Sequence, residues 1–144
     1  MATVSEIHHQ IVDAWNSRDW NVLRNLLHSD YTYTGPDGKE LVGPDAGLNL
    51  ARMYATAFPD GKLEIKRLHV AGTTSIAEFV ATGTQRGDLM GVAPTGKRVE
   101  INICNVLEVR DGKALHEREY FDVMTMLGQL GVVQAPAAKA ATAR

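Results

Sequence analysis

Hydrophobic positions along this chain change their period near the middle. From Val4 onward they recur at helical spacing, with Val4, Ile7, Ile11, Ala14 and Trp15 on one face. Asn16-Ser17-Arg18 interrupts the pattern, and Trp20, Leu23, Leu26 and Leu27 then define one side of a second, shorter helix. Thr3-Val-Ser-Glu6 fits a capping box, in which the Thr3 hydroxyl and the Glu6 carboxylate satisfy free amides at a helix start. Asp19 is placed to cap the second helix, so the two form an αα-hairpin. Tyr31-Thr-Tyr-Thr34 is a short β-prone run closed by the turn Gly35-Pro-Asp-Gly38. Gly43-Pro44 opens a third helix, because the missing proline N–H costs nothing in a first turn. Its main face is Leu48, Ala51, Ala55 and Phe58, flanked by Asn49, Met53 and Tyr54, and Phe58-Pro59-Asp60-Gly61 stops it.

Beyond Gly61 the period falls to two. Segments 63–71, 76–84, 98–109 and 114–121 read as antiparallel strands, with hairpin connections at Gly72-Thr-Thr-Ser75 and Asp111-Gly112. The connection 88–97, rich in glycine and proline, is expected to fold over the sheet's edge, and Met124, Leu127, Leu130 and Val132 form a short terminal apolar segment. One domain over 1–133 is expected, followed by a disordered alanine-rich tail over 134–144. Helices first and strands after predict an α+β fold, with the helices covering one face of a curved sheet. If the sheet curves into an open cone, its concave face can leave a pocket where a few polar groups converge.

Against that pattern one stretch stands out. Asn105 is the strongly polar residue in the alternating series Val99, Ile101, Ile103, Asn105, Leu107, Val109, and the next strand carries Glu117 and Glu119 two residues apart, on a shared face. On a solvent-facing strand the two glutamates are ordinary surface charges, paired with Arg98 or Arg110. On a half-buried face they are acid/base groups, since burial and a neighbouring carboxylate both raise a carboxyl pKa toward the range a general base needs. Asn105 then donates to a developing oxyanion or holds a carboxylate in place. Parity at Asp111-Gly112 decides between these readings. A two-residue turn pairs Arg110 with Lys113 and sets Glu119 opposite Cys104, away from Asn105. A three-residue loop with a bulge at Gly112 pairs Val109 with Lys113 and sets Asn105 opposite Glu117 and Ile103 opposite Glu119. Asp-Gly suits either loop.

Bulk properties narrow the partners. The net charge of −2 comes with no basic stripe, which argues against nucleic acid or an anionic membrane. No apolar run approaches the ~18–20 residues that span a bilayer, and the N-terminus lacks a basic segment followed by an apolar one. A cytoplasmic domain is expected. The single cysteine, Cys104, reads as a buried, inert thiol. His8-His9 reads as helical surface, His116 as surface or dimer interface, and Asp122 as the cap of the terminal helix. No histidine has ligand spacing, so no metal site is expected.

The order of these pieces, together with seven local words, resembles the SnoaL-like polyketide cyclases of the NTF2-like superfamily. The words are Gly43-Pro44, Phe58-Pro59-Asp60, Gly83-Thr-Gln-Arg-Gly87, Gly91-Val-Ala-Pro-Thr-Gly-Lys97, Val109-Arg-Asp-Gly-Lys113, Glu119-Tyr-Phe-Asp122 and Leu127-Gly-Gln-Leu-Gly131. The resemblance spans about Val4 to Val133. It implies a cone-shaped α+β barrel, usually a homodimer, whose hydrophobic cavity hosts an intramolecular aldol condensation without cofactor or metal. It implies Glu119 as general base, at a position usually held by aspartate, and it favours the bulged hairpin. In the family a histidine commonly lies two residues before the base, and the aldol cyclases carry a second histidine where this chain has Asn105. Here His116 and Glu117 stand in the reverse of the family order. The expected function is therefore acid/base catalysis on an apolar, polyketide-like or terpenoid-like substrate, with Glu119 as base and Glu117 and Asn105 assisting. Trp15, Tyr31, Tyr33, Met53, Tyr54, Phe79 and Ile103 are the expected walls. A non-catalytic module for a small lipophilic ligand, or an epoxide hydrolase or isomerase of the same fold, are the alternatives. The expected dimer contact is the outer face around Glu100, Asn102, Cys104, Val106, Arg118 and Tyr120.

Overall fold

The first, second and fourth helices begin where the sequence supplies a side-chain cap, and the third begins at a proline. The computed structural model describes residues 2–133. Helix α1 (Val4–Ser17) starts at the Thr3–Glu6 capping box, and α2 (Trp20–Leu26) starts at Asp19, whose side chain accepts from the Val22 amide. Helix α3 (Pro44–Ala57) has Pro44 in its first turn, and α4 (Val123–Gln129) is capped by Asp122, which accepts from the Thr125 amide. The left-handed Arg18 (φ 59°) ends α1 and turns the chain into α2.

The strands are β1 (Leu27–Thr34), β2 (Glu40–Val42), β3 (Lys62–Ala71), β4 (Thr74–Thr84), β5 (Arg98–Arg110) and β6 (Lys113–Tyr120). They form one curved, unclosed sheet in the order β2-β1-β6-β5-β4-β3. The expected wholly antiparallel sheet is corrected at one place: β1 runs parallel to β6, because α3 and the long β hairpins separate the two strands in sequence. Strand β2 carries too few residues to show alternation in the sequence, and its side chains are mostly exposed. The proposed tail over 134–144 lies outside the described residues.

Helix α1 is docked on the β3 edge by Asn16, which donates to the Leu63 carbonyl and accepts from the Leu63 amide, both at 2.8 Å. Trp15 donates to the Ala51 carbonyl of α3 at 3.3 Å, so one turn of α1 ties a helix and an edge strand together. The apolar faces meet in two clusters. One gathers Ile7, Ile11, Leu23, Leu27 and Leu107, and the other Phe58, Phe79, Ile101, Ile103 and Met126.

The hairpin between β5 and β6 departs from both expected forms. Arg110 pairs with Lys113 across a two-residue turn, with Asp111 (φ 54°) and Gly112 (φ 70°) both left-handed. By itself that turn would point Glu119 outward. The parity is restored inside β6: Val109 pairs with Ala114 and Glu108 with His116, leaving Leu115 as an extra residue. Ala114 and Leu115 are consequently both buried, breaking the in-and-out alternation. The final register sets Asn105 opposite Glu119 and Leu107 opposite Glu117, two residues from the expected pairing but on the expected face. Cys104, expected to be buried, is half-buried and points to the other face. Gly112→Ala should cost about 1–2 kcal/mol, the penalty of a side chain in the left-handed region. Urea unfolding measures it, and an unchanged midpoint would show that the turn does not need its glycine.

Candidate active site

The bulge delivers two carboxylates of β6 to the concave face beside the Asn105 amide of β5, and parallel pairing with β1 delivers two tyrosines beside them. Tyr33 lies opposite Glu117, yet its hydroxyl leans along the strand to donate to Glu119 Oε1 at 2.6 Å. Tyr31, two residues earlier, leans the same way and donates to Glu117 Oε1. A Cβ on Gly47 of α3 would drive into the Tyr31 ring, so a bare backbone there is what allows the tyrosine its position. Asn105 Nδ2 donates to Glu117 Oε2 at 2.8 Å and to Glu119 Oε2 at 3.0 Å. Each glutamate thus receives one tyrosine O–H and one amide N–H.

Behind Asn105 stands a residue that the sequence reading placed on the surface. His8 is 1% exposed, its Nε2 lying 2.8 Å from Asn105 Oδ1 and its Nδ1 2.7 Å from Ser75 Oγ. It falls on the inward side of α1, next to Ile7 and one turn before Ile11, and the expectation of a solvated His8-His9 pair holds for His9 alone. The signal was present in the helical period, where position 8 lies between two apolar positions. Its polarity masked that signal, and its partners lie 67 and 97 residues away. His116 lies on the outer face, half-buried, its Nδ1 2.7 Å from Thr32 Oγ1.

A cavity of about 150 Å³ opens beside the glutamates. Trp15, Tyr31, Tyr33, Tyr54, Phe79 and Ile103 line it, as do His8, Asn105, Glu117 and Glu119, with exposed Lys62 on its rim. Met53 is corrected: it packs against the Phe58–Phe79 cluster and does not line the cavity, because it sits one position off the inward face of α3. The surface that the two glutamates retain opens on this cavity. Among the described residues no group of three or more His, Cys, Asp or Glu side chains is arranged to hold a metal ion.

Electrostatics follow from this enclosure. Removal from water, and then the neighbouring Glu117 charge, push the Glu119 carboxyl up to about 7, although the Tyr33 and Asn105 hydrogen bonds pull the other way. Burial and the nearby carboxylates hold Tyr31 and Tyr33 well above the ordinary phenol range, so both stay as O–H donors. Tyr54 is pushed up to about 12, by burial and then by the Glu119 charge. Tyr54 lines the cavity, and among the described residues its hydroxyl has no hydrogen-bond partner. Desolvation pulls His8 down, so its ring is neutral near pH 7, against smaller opposing effects of Asn105 and Glu117.

A raised carboxyl pKa has a definite sign for stability. Between 4.5, its ordinary value, and about 7, the unfolded chain releases the Glu119 proton while the folded chain keeps it. Stability therefore falls as pH rises through that window, by roughly 3 kcal/mol from this group. His8 acts oppositely, weakening the fold as pH drops below 6.5. The difference between the thermal unfolding curves of the wild type and Glu119→Gln isolates the glutamate. The wild type should lose ground to the variant from pH 5 to pH 8, and parallel curves would mean that Glu119 titrates normally.

Comparison with known proteins places the fold among its relatives. The curated relative AcmA of Streptomyces galilaeus, an aklanonic acid methyl ester cyclase, is 27% identical over 124 residues, covering 85% of this chain and 86% of AcmA. The nogalonic acid methyl ester cyclase of Streptomyces nogalater is 28% identical over 131 residues, covering 84% of this chain and 92% of that one. Among solved structures, IdmH of Streptomyces antibioticus, described as a candidate polyketide cyclase, superposes with a TM-score of 0.80 at 28% identity, covering 91% of this chain and all of that one. The sequence model of the SnoaL-like polyketide cyclases matches residues 5–130, and the chain belongs to that family.

Proposed function

We propose that this chain closes a ring in an apolar polyketide-like substrate by intramolecular aldol condensation, with Glu119 as the general base. The observation that carries the reading is a carboxyl that lines the cavity and is raised to about 7, hydrogen-bonded to the same amide as a second carboxylate. A base poised near the working pH combines a useful ionised fraction with a strong pull on the proton. Glu119 takes the proton from a carbon next to a carbonyl, and the C–H electron pair becomes the enolate. The enolate carbon attacks a second carbonyl of the same molecule, forming the C–C bond. The resulting alkoxide takes the proton back from Glu119.

The remaining groups divide the other tasks. Glu117 raises the basicity of Glu119. Asn105, with both amide N–H groups already committed, holds the carboxylates rather than meeting an oxyanion. The unpartnered Tyr54 hydroxyl is the donor suited to the enolate oxygen. Trp15, Phe79 and Ile103 supply apolar wall. Polyketide acid methyl esters of the kind named for the two curated relatives are the substrates to try first.

Exchange of the α-carbon proton with deuterated water, followed by NMR on such an ester, reports the first step directly. Glu119→Gln should slow exchange by about 10²–10⁴-fold with near-UV dichroism unchanged. Tyr54→Phe should slow it by about 10²-fold or more. Exchange that survives Glu119→Gln would remove Glu119 from the role of base. Tight binding of the ester with no exchange by the wild type would favour the binding-module reading.

We further propose that the enzyme works in the cytoplasm as a homodimer through the outer face of β5 and β6. Tyr120 stands 53% exposed there, beside half-buried Val106 and Cys104. Light scattering should give twice the mass of one chain, and Tyr120→Glu should halve it. A monomeric wild type at micromolar concentration would refute the assembly.

A further inference from the structure

We propose that His8 is a positioning residue for the two-carboxylate site, its ring locking the Asn105 amide in the one orientation that aims both N–H groups at Glu117 and Glu119. An asparagine amide fits a site equally well by shape in either of two orientations, and only its partners decide between them. On one side are Glu117 Oε2 and Glu119 Oε2, at 2.8 and 3.0 Å, which accept hydrogen bonds. On the other side Asn105 Oδ1 must therefore meet a donor, and the atom within reach is His8 Nε2 at 2.8 Å.

A neutral imidazole carries one N–H, so that proton must sit on Nε2, leaving Nδ1 as an acceptor. The Ser75 hydroxyl, 2.7 Å from Nδ1, can donate to it. The result is a single-direction chain: Ser75 O–H to His8 Nδ1, His8 Nε2–H to Asn105 Oδ1, and Asn105 Nδ2–H to the two glutamates. His8, Ser75 and Asn105 are 1%, 0% and 2% exposed, so water cannot stand in for a missing partner. With the proton on Nδ1 instead, Nε2 and Oδ1 would meet lone pair to lone pair. The amide would then turn and set its oxygen against two carboxylates.

The elements converge from three directions. Helix α1 inserts His8, β4 supplies Ser75, and β5 supplies Asn105. The titratable neighbours of the ring are Glu117 from β6 and His9 on its own helix. Those around Glu119 are Glu117, Tyr31, Tyr33 and Tyr54. Because the oriented amide favours the ionised form of Glu119, losing the orientation should move the Glu119 titration upward, an effect that packing alone would not produce.

This inference rests on Glu119 being the titrating carboxylate, and the test reads orientation without turnover. In the full chain labelled with ¹³C and ¹⁵N, ring nitrogen shifts give the His8 tautomer, and Glu δ-carbon shifts followed against pH give the carboxyl midpoints. Glu119→Gln assigns the midpoint near neutrality; if that midpoint persists in the variant, the Glu119 reading falls while the tautomer still judges His8. The wild type should show Nε2–H. His8→Met should raise the Glu119 midpoint by about half a unit or more, a threefold gain in proton affinity. His8→Gln, which can place an N–H near the Nε2 position, should restore the wild-type midpoint. His8→Asn, which mimics only the Nδ1 position, should not, and this pair carries the test should His8→Met fail to fold. An Nδ1–H tautomer, or folded His8→Met and His8→Asn with unmoved midpoints, would overturn the proposal.

Discussion

Two carboxylates share one amide, and most of the fold can be understood as meeting what that arrangement demands. A carboxylate drawn from water costs several kcal/mol unless hydrogen bonds replace its hydration. Here the replacements come from every layer: tyrosines from β1, an asparagine from β5, and through it a histidine from α1 and a serine from β4. No buried side-chain nitrogen or oxygen among the described residues is left without a partner. The balance is nevertheless incomplete by design: the donors do not fully offset desolvation at Glu119, and the remaining deficit appears as a carboxyl poised near neutrality.

The architecture was largely legible in the residues because local rules agreed with each other. Thr3, Asp19, Pro44 and Asp122 all mark helix starts in the structure, and the alternation from Leu63 onward does mark strands. What escaped was long-range or two-valued. The parallel β1–β6 pairing leaves no local trace. His8 looked solvated because its neighbour His9 is, and its buried state depends on partners on two distant strands. The hairpin was posed as a choice between two loops, whereas the chain uses the tight turn and places its extra residue three positions later, at Leu115. Ala114-Leu115 reads as two more residues of an ordinary strand, so nothing local announces the shift.

The departures from the family pattern also acquire a common explanation. At position 117 the chain has a glutamate facing inward, where the family commonly has a histidine, and at 105 an asparagine where the aldol cyclases have another. The imidazole has not vanished from the neighbourhood: His8 supplies one from the helical layer, one residue removed from the reacting groups. A histidine in direct contact with substrate can shuttle protons. In His8 both ring nitrogens are already committed, to Ser75 and Asn105, which shifts the proposed chemistry onto carboxylates and tyrosines.

The extra residue at Leu115 bears on how this chain would change over generations. An insertion or deletion of one residue between Asp111 and Leu115 would leave Asn105, Glu117 and Glu119 encoded, yet exchange the two faces of β6 from His116 onward. Glu117 and Glu119 would then meet the outer surface, and His116, Arg118 and Tyr120 would point into the cavity. Loss of the proposed activity therefore needs no mutation at Glu117, Glu119 or Asn105. When two related chains are aligned, their residues at 117 and 119 are comparable only after their bulges have been brought into register.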